Sequence, residues 1–193
     1  MARSNAAFAL PKPRVEPARM EAQSGDPRAA IQLELGSTPT SAALIRSIVG
    51  LAAEALELGR RFTDDLRTAI SEAANNVVLH AYGAESGSLK FSMSIYDEFL
   101  RVVISDDGCG ISEFPSPSPG LGLGLRVIAA LADDVAFDSL PGCGTIVRMS
   151  FALSGPMDLS AIERLQVAVW QSSLPVEVVT LADRAPREAA YAL

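Results

Sequence analysis

The sequence predicts an α+β fold, a two-layer sandwich with helices on one face of a mixed, mostly antiparallel sheet. Three observations support this. Stretches of alternating apolar and polar residues, typical of strands, recur along the chain. Between them lie segments with apolar residues three and four apart, typical of helices. The resulting order of elements, βααββαββ, indicates one mixed sheet with the helices packed on a single face.

The first half of the domain is delimited by clear start and stop signals. Ala30 to Leu35 alternates in hydropathy, which predicts a strand. Thr38, followed by a proline, predicts the start of a first helix that ends near Gly59. Thr63 predicts the cap of a second helix, which runs to about Tyr82 and stops at the following glycine.

The second half predicts a hairpin, a helix, two more strands and a C-terminal helix. The Ser160-Ala-Ile-Glu163 sequence has the form of a capping box and predicts the start of that last helix. The other predicted elements are strands at 89–95, 100–104, 135–139 and 145–151, a helix at 123–132 and a last strand at 175–181.

Length and composition predict one folded domain with two appendages. The 193 residues suit one domain of average size with tails. Residues 1–29 contain four prolines among charges and small residues, so we expect a disordered N-terminal tail. Residues 30–154 form the predicted domain, and residues 155–193 a C-terminal extension with a helix and a further strand.

Charge and hydropathy limit the classes of partner. The net charge of −7 argues against direct nucleic-acid binding, which needs a basic face. No apolar run approaches the length of a membrane span, and the N-terminus lacks the apolar core of a signal peptide. We therefore expect a cytoplasmic protein that does not bind membranes. Two cysteines are too few for a disulfide framework.

The second helix carries polar side chains four residues apart. Glu72, Asn76 and His80 would stack along one face of a regular helix. An amide oxygen can bind a hydrated magnesium ion while a carboxylate one turn away handles a proton. A solvated polar face explains Glu72 and Asn76 equally well. His80 is either a ligand or phosphoacceptor, or a structural residue that lines the site.

Two glycine-containing motifs follow. Asp106-x-Gly108-x-Gly110 comes directly after an apolar strand, where a carboxylate can accept a hydrogen bond from a purine amino group. A simple Asp-Gly turn is the alternative. Further along, Gly120, Gly122 and Gly124 precede an apolar helix, whose free N–H groups could hold phosphates. A flexible hinge is the alternative there.

The order of these motifs predicts an ATP site. A helix with a carboxylate and an amide, a strand followed by Asp-x-Gly, a Gly-x-Gly helix start and Gly144-Thr145 entering a strand would not assemble readily by chance. A Walker A loop is excluded, because neither Lys12 nor Lys90 adjoins a glycine-rich loop.

With these motifs the chain resembles the Bergerat-fold (GHKL) ATPases, and within them the anti-sigma-factor serine/threonine kinases of the RsbW type. The resemblance covers roughly Ile31 to Leu153. It implies that Glu72 activates the acceptor hydroxyl, Asn76 binds Mg²⁺ and Asp106 reads the adenine amino group. It further assigns to ATP binding the residues Gly108, Gly110, Gly122, Leu123, Gly124 and Thr145.

The same resemblance implies a cycle of partner switching. Proteins of this type form homodimers, sequester a sigma factor and phosphorylate a serine of a STAS-domain anti-anti-sigma protein. Arg46 matches a position that contacts these partners. One segment departs from the pattern, because Ser112 to Pro119 is a short lid without Arg or Lys. An ATP-binding module that holds a sigma factor or STAS partner without phosphoryl transfer is therefore the alternative.

Overall fold

A computed structural model describes residues 26–83, 85–110, 121–139 and 141–180. Of the tail predicted at residues 1–29, residues 1–25 lie outside this part of the chain, as does the lid at 112–119, whereas Ala29 already begins the first strand. In chain order the described elements are β1 (Ala29–Gly36), α1 (Pro39–Ala55), α2 (Arg60–Asn76), a π-helical turn (Val77–Ala81), β2 (Ser88–Ile95), β3 (Phe99–Asp106), α3 (Leu121–Leu131), β4 (Asp134–Ser139), β5 (Thr145–Ala152), α4 (Leu159–Gln171) and β6 (Val178–Thr180).

The strands form one six-stranded sheet in the order β4-β5-β3-β2-β1-β6. The α+β class is therefore confirmed. The sequence predicts a mixed sheet, but all five pairings described are antiparallel. Two of the pairings, β2–β3 and β4–β5, are hairpins, which can join only antiparallel neighbours. In the register of β3 and β5, Asp106 lies opposite Thr145.

The helices cover one face of the sheet, as predicted. Along β2 the side chains alternate, with Leu89, Phe91, Met93 and Ile95 buried and the serines and lysine between them partly exposed. This alternation places the apolar residues of the strand under the helices. The apolar side chains of α1, α2 and α4 join the same hydrophobic core.

The starts of the first two helices differ in how well the sequence predicts them. Thr38 caps α1 as expected, since its hydroxyl accepts a hydrogen bond from the Ser41 N–H at 3.2 Å. The prediction that Thr63 caps the second helix is wrong. The helix begins at Arg60 after Gly59. The Thr63 hydroxyl lies inside the first turn and donates to the Gly59 carbonyl at 3.2 Å.

The C-terminal extension adds a helix and an edge strand to the domain. β6 pairs with the start of β1, and α4 contacts α1. The prediction that a capping box at Ser160 starts this helix is wrong. Asp158 is the N-cap and α4 begins at Leu159, two residues earlier than a cap at Ser160 would place it. The Asp158 carboxylate accepts from the Ala161 N–H at 2.7 Å and from the Ser160 hydroxyl at 2.8 Å.

We expect the cap at Asp158 to stabilise the fold only while it is ionised. The Ser160 hydroxyl and the Ala161 N–H lower the pKa of Asp158 below its usual value. A lowered pKa in the folded state means that the contribution is present at neutral pH and is lost as pH falls through that pKa. Asp158→Ala should therefore lower Tm at pH 7, and the difference should shrink on acidification. Glu163→Gln is the control and should leave Tm unchanged, since Asp158 rather than a capping box starts the helix.

No helix among the described residues is long and apolar enough to cross a membrane.

Candidate functional site

The second helix changes its winding where the predicted polar stripe continues. α2 ends at Asn76 and passes directly into the π-helical turn Val77–Ala81. Such turns occur frequently at functional sites. Because the turn inserts an extra residue, His80 does not continue the four-residue spacing of Glu72 and Asn76. Its side chain is exposed and makes no hydrogen bond within the described part of the chain. Glu72 and Asn76 are partly buried.

Helix α3 brings Gly124 against Glu72 and Asn76. A Cβ atom at Gly124 would lie 3.1 Å from Glu72 Oε2 and 3.4 Å from both terminal atoms of the Asn76 amide. Gly124 is buried by this contact. Three residues that the sequence singles out in separate motifs are thus in one place, and a side chain at residue 124 would occupy the space above the carboxylate and the amide.

The Asn76 amide has an unused donor. Its Nδ2 atom is buried and has no hydrogen-bond partner among the described residues. A buried polar group without a partner costs about 1–3 kcal/mol, so its presence calls for a reason. The free N–H group can donate only to an acceptor such as a phosphate oxygen. The amide oxygen of Asn76 and the neighbouring Glu72 carboxylate are hard oxygen ligands of the kind that Mg²⁺ prefers. The residues present therefore fit the predicted ion, with Asn76 as the side chain that would hold it.

Asp106 is the last residue of β3 and is only 5% exposed. Burial raises the pKa of its carboxyl group above the usual value, and hydrogen bonds from the backbone of Gly108 and Thr145 oppose that shift. The Gly108 N–H donates to Asp106 Oδ1 at 2.9 Å. The carboxylate is thus held in a fixed orientation at the C-terminal end of β3, an interior strand of the sheet, where a purine amino group could bind.

Two glycines near Asp106 permit backbones to meet. A Cβ atom at Gly108 would overlap the carbonyl oxygen of Ala81, at the end of the π-helical turn. The next residue, Cys109, donates its N–H to that same carbonyl at 2.8 Å. Gly144 has φ +80° and packs directly on the Asp106 carbonyl. The structure thus gives Gly108 and Gly144 a packing role, which joins the loop after β3 to α2 and to β5.

The remaining predicted residues lie around these contacts. Gly122 and Leu123 lie inside the first turn of α3, so the prediction that the helix follows the glycines is wrong. The first N–H groups of a helix have no partners within it, so this end of α3 keeps its capacity to bind an anion. Leu123 is 68% exposed, and Gly110 has φ +70°. Thr145 Oγ1 lies 3.1 Å from the Ser139 hydroxyl.

Arg46 lies on a different helix from the other predicted site residues. It is on α1 and partly exposed, and no hydrogen bond within the described residues joins it to the site. A cavity of about 680 Å³ lies between the α1–α2 connection, the end of β5 and the start of α4, and none of the predicted site residues lines it.

Sequence reasoning missed one residue that supports the site. The Tyr82 hydroxyl donates to the Ser88 carbonyl at 2.7 Å and accepts from the Asp107 N–H at 2.9 Å. Tyr82 therefore ties the loop after β3 to the start of β2. A tyrosine immediately before the glycine that ends a helix is the signal that could have indicated it, because a buried phenol usually finds two hydrogen-bond partners.

Comparison with known families decides what kind of domain carries this site. The model of the histidine kinase-like ATPase domain matches residues 35–151, which is more than half of the chain. The chain belongs to this family. The matched range contains Glu72, Asn76, Asp106 and Gly124, and the resemblance predicted from the motifs is confirmed.

Several curated relatives of this ATPase-family chain are anti-sigma F factors. That of Caldanaerobacter subterraneus subsp. tengcongensis is 28% identical over 130 residues, which cover 62% of this chain and 91% of the relative. That of Pasteuria penetrans is 26% identical over 147 residues, covering 70% and 98%. That of Bacillus subtilis is 29% identical over 101 residues, covering 47% and 69%.

Two solved structures are also similar. The histidine kinase domain of the blue-light-activated kinase EL346 from Erythrobacter litoralis has a TM-score of 0.41 at 30% identity and covers 47% of each chain. The RsbU and RsbW domains of a Mycobacterium tuberculosis protein have a TM-score of 0.45 at 16% identity, covering 66% of this chain and 34% of that one.

Proposed function

We propose that this protein is an ATP-dependent anti-sigma-factor kinase that phosphorylates a serine of a STAS-domain anti-anti-sigma protein. The observation that carries the proposal is the meeting of Glu72, Asn76 and Gly124, with a buried amide nitrogen that has no partner. The family of the chain is an ATPase family, and its curated relatives are named anti-sigma F factors. Both facts support the same assignment.

The nucleotide would lie between the end of β3 and the start of α3. The buried carboxylate of Asp106 accepts the adenine amino group, while Gly108 and Thr145 hold that carboxylate in place. The free N–H groups at the start of α3, beside Gly124, bind phosphate oxygens. This arrangement needs no lysine, in keeping with the absence of lysine from both glycine motifs.

Glu72 would act on the protein substrate. Its Oε2 atom faces Gly124 at the start of α3, close to where the terminal phosphate would lie. A carboxylate there can accept the proton of an attacking serine hydroxyl, which makes that oxygen a better nucleophile. Mg²⁺, held by Asn76, would neutralise charge on the phosphates. The phosphoryl group then passes to the serine of the STAS-domain protein.

The partners and the assembly belong to the same proposal. A sigma factor and the STAS-domain protein bind in turn at a surface that includes Arg46 on α1, and the protein acts as a homodimer without direct contact to nucleic acid or membrane. The negative net charge of the chain agrees with protein partners rather than with DNA.

A second function rests on the lid. The segment from Ser112 to Pro119 contains no Arg or Lys, so the lid itself supplies no positive charge to the transition state of phosphoryl transfer. In this second function the protein binds ATP and holds a sigma factor or STAS partner without phosphoryl transfer, and the nucleotide only changes the conformation of the protein.

One experiment separates the two functions. The purified chain is titrated with ATP in the presence and absence of Mg²⁺, and is then incubated with labelled ATP and a STAS-domain partner. The kinase binds ATP and transfers label to the partner, but not to a partner whose acceptor serine is replaced by alanine. Binding without transfer supports the holding module. Absence of binding contradicts both functions.

The role of Asn76 can be tested without measuring catalysis. An unpaired buried amide destabilises the folded protein by about 1–3 kcal/mol. Asn76→Leu removes this amide, and leucine has nearly the same volume as asparagine. We expect the nucleotide-free variant to be at least as stable as the parent protein, whereas Mg²⁺ no longer strengthens ATP binding. Tm and calorimetric titration measure both effects. Asn75→Leu, at the adjacent position, is the control and should retain the Mg²⁺ effect, which excludes a general disturbance of the helix.

A further inference from the structure

Both cysteines of the chain occur in the same tripeptide. Gly108-Cys109-Gly110 follows β3, and Gly142-Cys143-Gly144 forms part of the connection between β4 and β5. Both thiols are free and exposed. Since the sequence has two cysteines in total, any intramolecular disulfide must join these two positions.

A hydrogen bond brings the two tripeptides together. The Gly142 N–H donates to the Cys109 carbonyl at 2.8 Å, although 33 residues separate these positions in the sequence. Standard backbone dimensions then place the Cα atoms of Cys109 and Cys143 within about 10 Å of each other. A disulfide requires a Cα separation of about 4.4–6.8 Å, so a shift of a few ångströms at most would suffice.

The backbone around the thiols can make that shift. Gly110, Gly142 and Gly144 have φ values of +70°, +76° and +80°, a region that glycine enters without strain. The Cys109 thiol donates weakly to the His80 carbonyl at 3.4 Å. The Cys143 sulfur makes no hydrogen bond with any described residue. Neither thiol is therefore held firmly away from the other.

We propose that Cys109 and Cys143 form a reversible intramolecular disulfide that lowers the affinity of the site for ATP. The oxidant is a hydroperoxide such as hydrogen peroxide. The Cys143 thiol loses its proton to solvent, and the thiolate attacks one peroxide oxygen. The O–O bond breaks, a sulfenic acid forms, and the hydroxide that leaves takes up a proton from solvent to become water. The Cys109 thiol also loses its proton, and its thiolate attacks the sulfenic sulfur. The S–O bond breaks, and the hydroxide that leaves takes up that proton as a second water. Two thiols and one peroxide thus yield one disulfide and two waters.

The effect on ATP rests on the proposed function and follows from the position of Asp106. The backbone N–H groups of Gly108 and Thr145 donate hydrogen bonds to its carboxylate. Gly108 directly precedes Cys109, and Thr145 directly follows Gly144, the last residue of the second tripeptide. Gly144 packs so closely against the Asp106 carbonyl that a Cβ atom there would overlap it. Since the donors are one and two residues away from the cysteines, we expect that drawing the cysteines together shifts these donors and disorients the carboxylate that would read adenine.

Peptide mapping tests the disulfide directly. The reduced full-length chain is treated with one equivalent of hydrogen peroxide, and the remaining thiols are blocked before digestion with trypsin. Cleavage after Arg101, Arg126 and Arg148 separates the cysteines into peptides 102–126 and 127–148. We expect these two peptides to be joined in the oxidised protein and separate after treatment with dithiothreitol. If the oxidised protein yields no disulfide-linked pair of these peptides, the proposal is overturned.

ATP titration tests the consequence. We expect the oxidised protein to bind ATP at least about tenfold more weakly than the reduced protein, with recovery after dithiothreitol. Cys143→Ser should bind ATP as the reduced protein does and should show no change with peroxide. If the oxidised and reduced proteins bind ATP with equal affinity, the disulfide does not control ATP binding. A link between two molecules, seen as a doubled mass without reductant, refutes the intramolecular bond.

Failure of the proposed function is a separate outcome. If the reduced protein binds no ATP, the assignment as an ATP-dependent kinase is wrong and regulation of ATP binding falls with it. The joined peptides still decide whether the two tripeptides form a disulfide, because that assay involves no nucleotide.

Discussion

Replacing Glu72 with Gln is expected to slow phosphoryl transfer to a STAS-domain partner by about 10²–10⁴-fold, the usual contribution of a general base. Glutamine has nearly the same shape as glutamate, so the close packing of residue 72 against Gly124 is kept. A Cβ atom added at Gly124 would lie only 3.1 Å from Glu72 Oε2. Glutamine cannot accept a proton at neutral pH. ATP affinity should therefore change little while the rate falls.

Single-turnover transfer of labelled phosphate measures this effect, with ATP binding determined on the same samples. Glu163→Gln, at an exposed position of α4, is the matched control and should transfer phosphate at the parent rate. An unchanged rate for Glu72→Gln would remove this residue from the mechanism. A parallel loss of ATP binding would instead assign it to nucleotide binding.

Replacing Asp106 with Asn should lower ATP affinity by roughly 10–100-fold, as expected for the loss of a hydrogen bond to a charged group. The carboxylate receives backbone N–H donors from Gly108 and Thr145 and must still accept the adenine amino group. An amide offers one oxygen for these donors, and its NH₂ group opposes any further donor. The NH₂ group of the introduced asparagine and the adenine amino group, both donors, face each other only if the nucleotide binds at this position.

The neighbouring carboxylate provides a sharp control for Asp106. Asp107 pairs with Lys90 at 2.6 Å, and its side chain is 65% exposed. Exposed ion pairs contribute little, so Asp107→Asn should bind ATP like the parent protein. If both variants bind ATP equally well, Asp106 does not read the base. Calorimetric titration at one fixed pH measures both.

The raised pKa of Asp106 also predicts how stability depends on pH. Because burial raises this pKa in the folded state, the folded protein holds the proton more tightly than the unfolded chain does. Ionising the group therefore costs stability as pH rises from the usual carboxyl range through the raised pKa. Denaturant titrations at several pH values across this range should show that the free energy of unfolding of the parent protein falls as Asp106 ionises. Asp106→Asn should lack this contribution to the fall.

Much of the fold follows from local pattern. The alternation along β2 and the Thr38-Pro39 start of α1 are local properties, and the structure agrees with both. Helix starts without a strong local signal are predicted less well. Thr63 and Ser160 are both plausible caps by residue type, but the backbone leaves its helical conformation at Gly59 and Asp158 instead. Which of several polar residues caps a helix depends on where packing bends the chain.

The sequence predicted the types of the site residues, their order and their gathering in one ATP site, but not the individual contacts between them. The ordered motifs identified Glu72, Asn76, Asp106 and Thr145 as a set. The motifs contained no information about the π-helical turn, which removes His80 from the polar stripe. They also did not indicate the two hydrogen bonds of Tyr82, because the partners Ser88 and Asp107 lie on segments distant in the sequence.

The amino-acid sequence by itself determined the class of fold, the family and the chemical groups available to the site. These depend on periodicity and on residue type, which are properties of short segments. Only the tertiary structure decided which atoms meet: Gly124 against Asn76, Gly144 against the Asp106 carbonyl, and one Gly-Cys-Gly tripeptide against the other. Such contacts depend on the close packing of distant segments, and close packing is set by the whole chain at once.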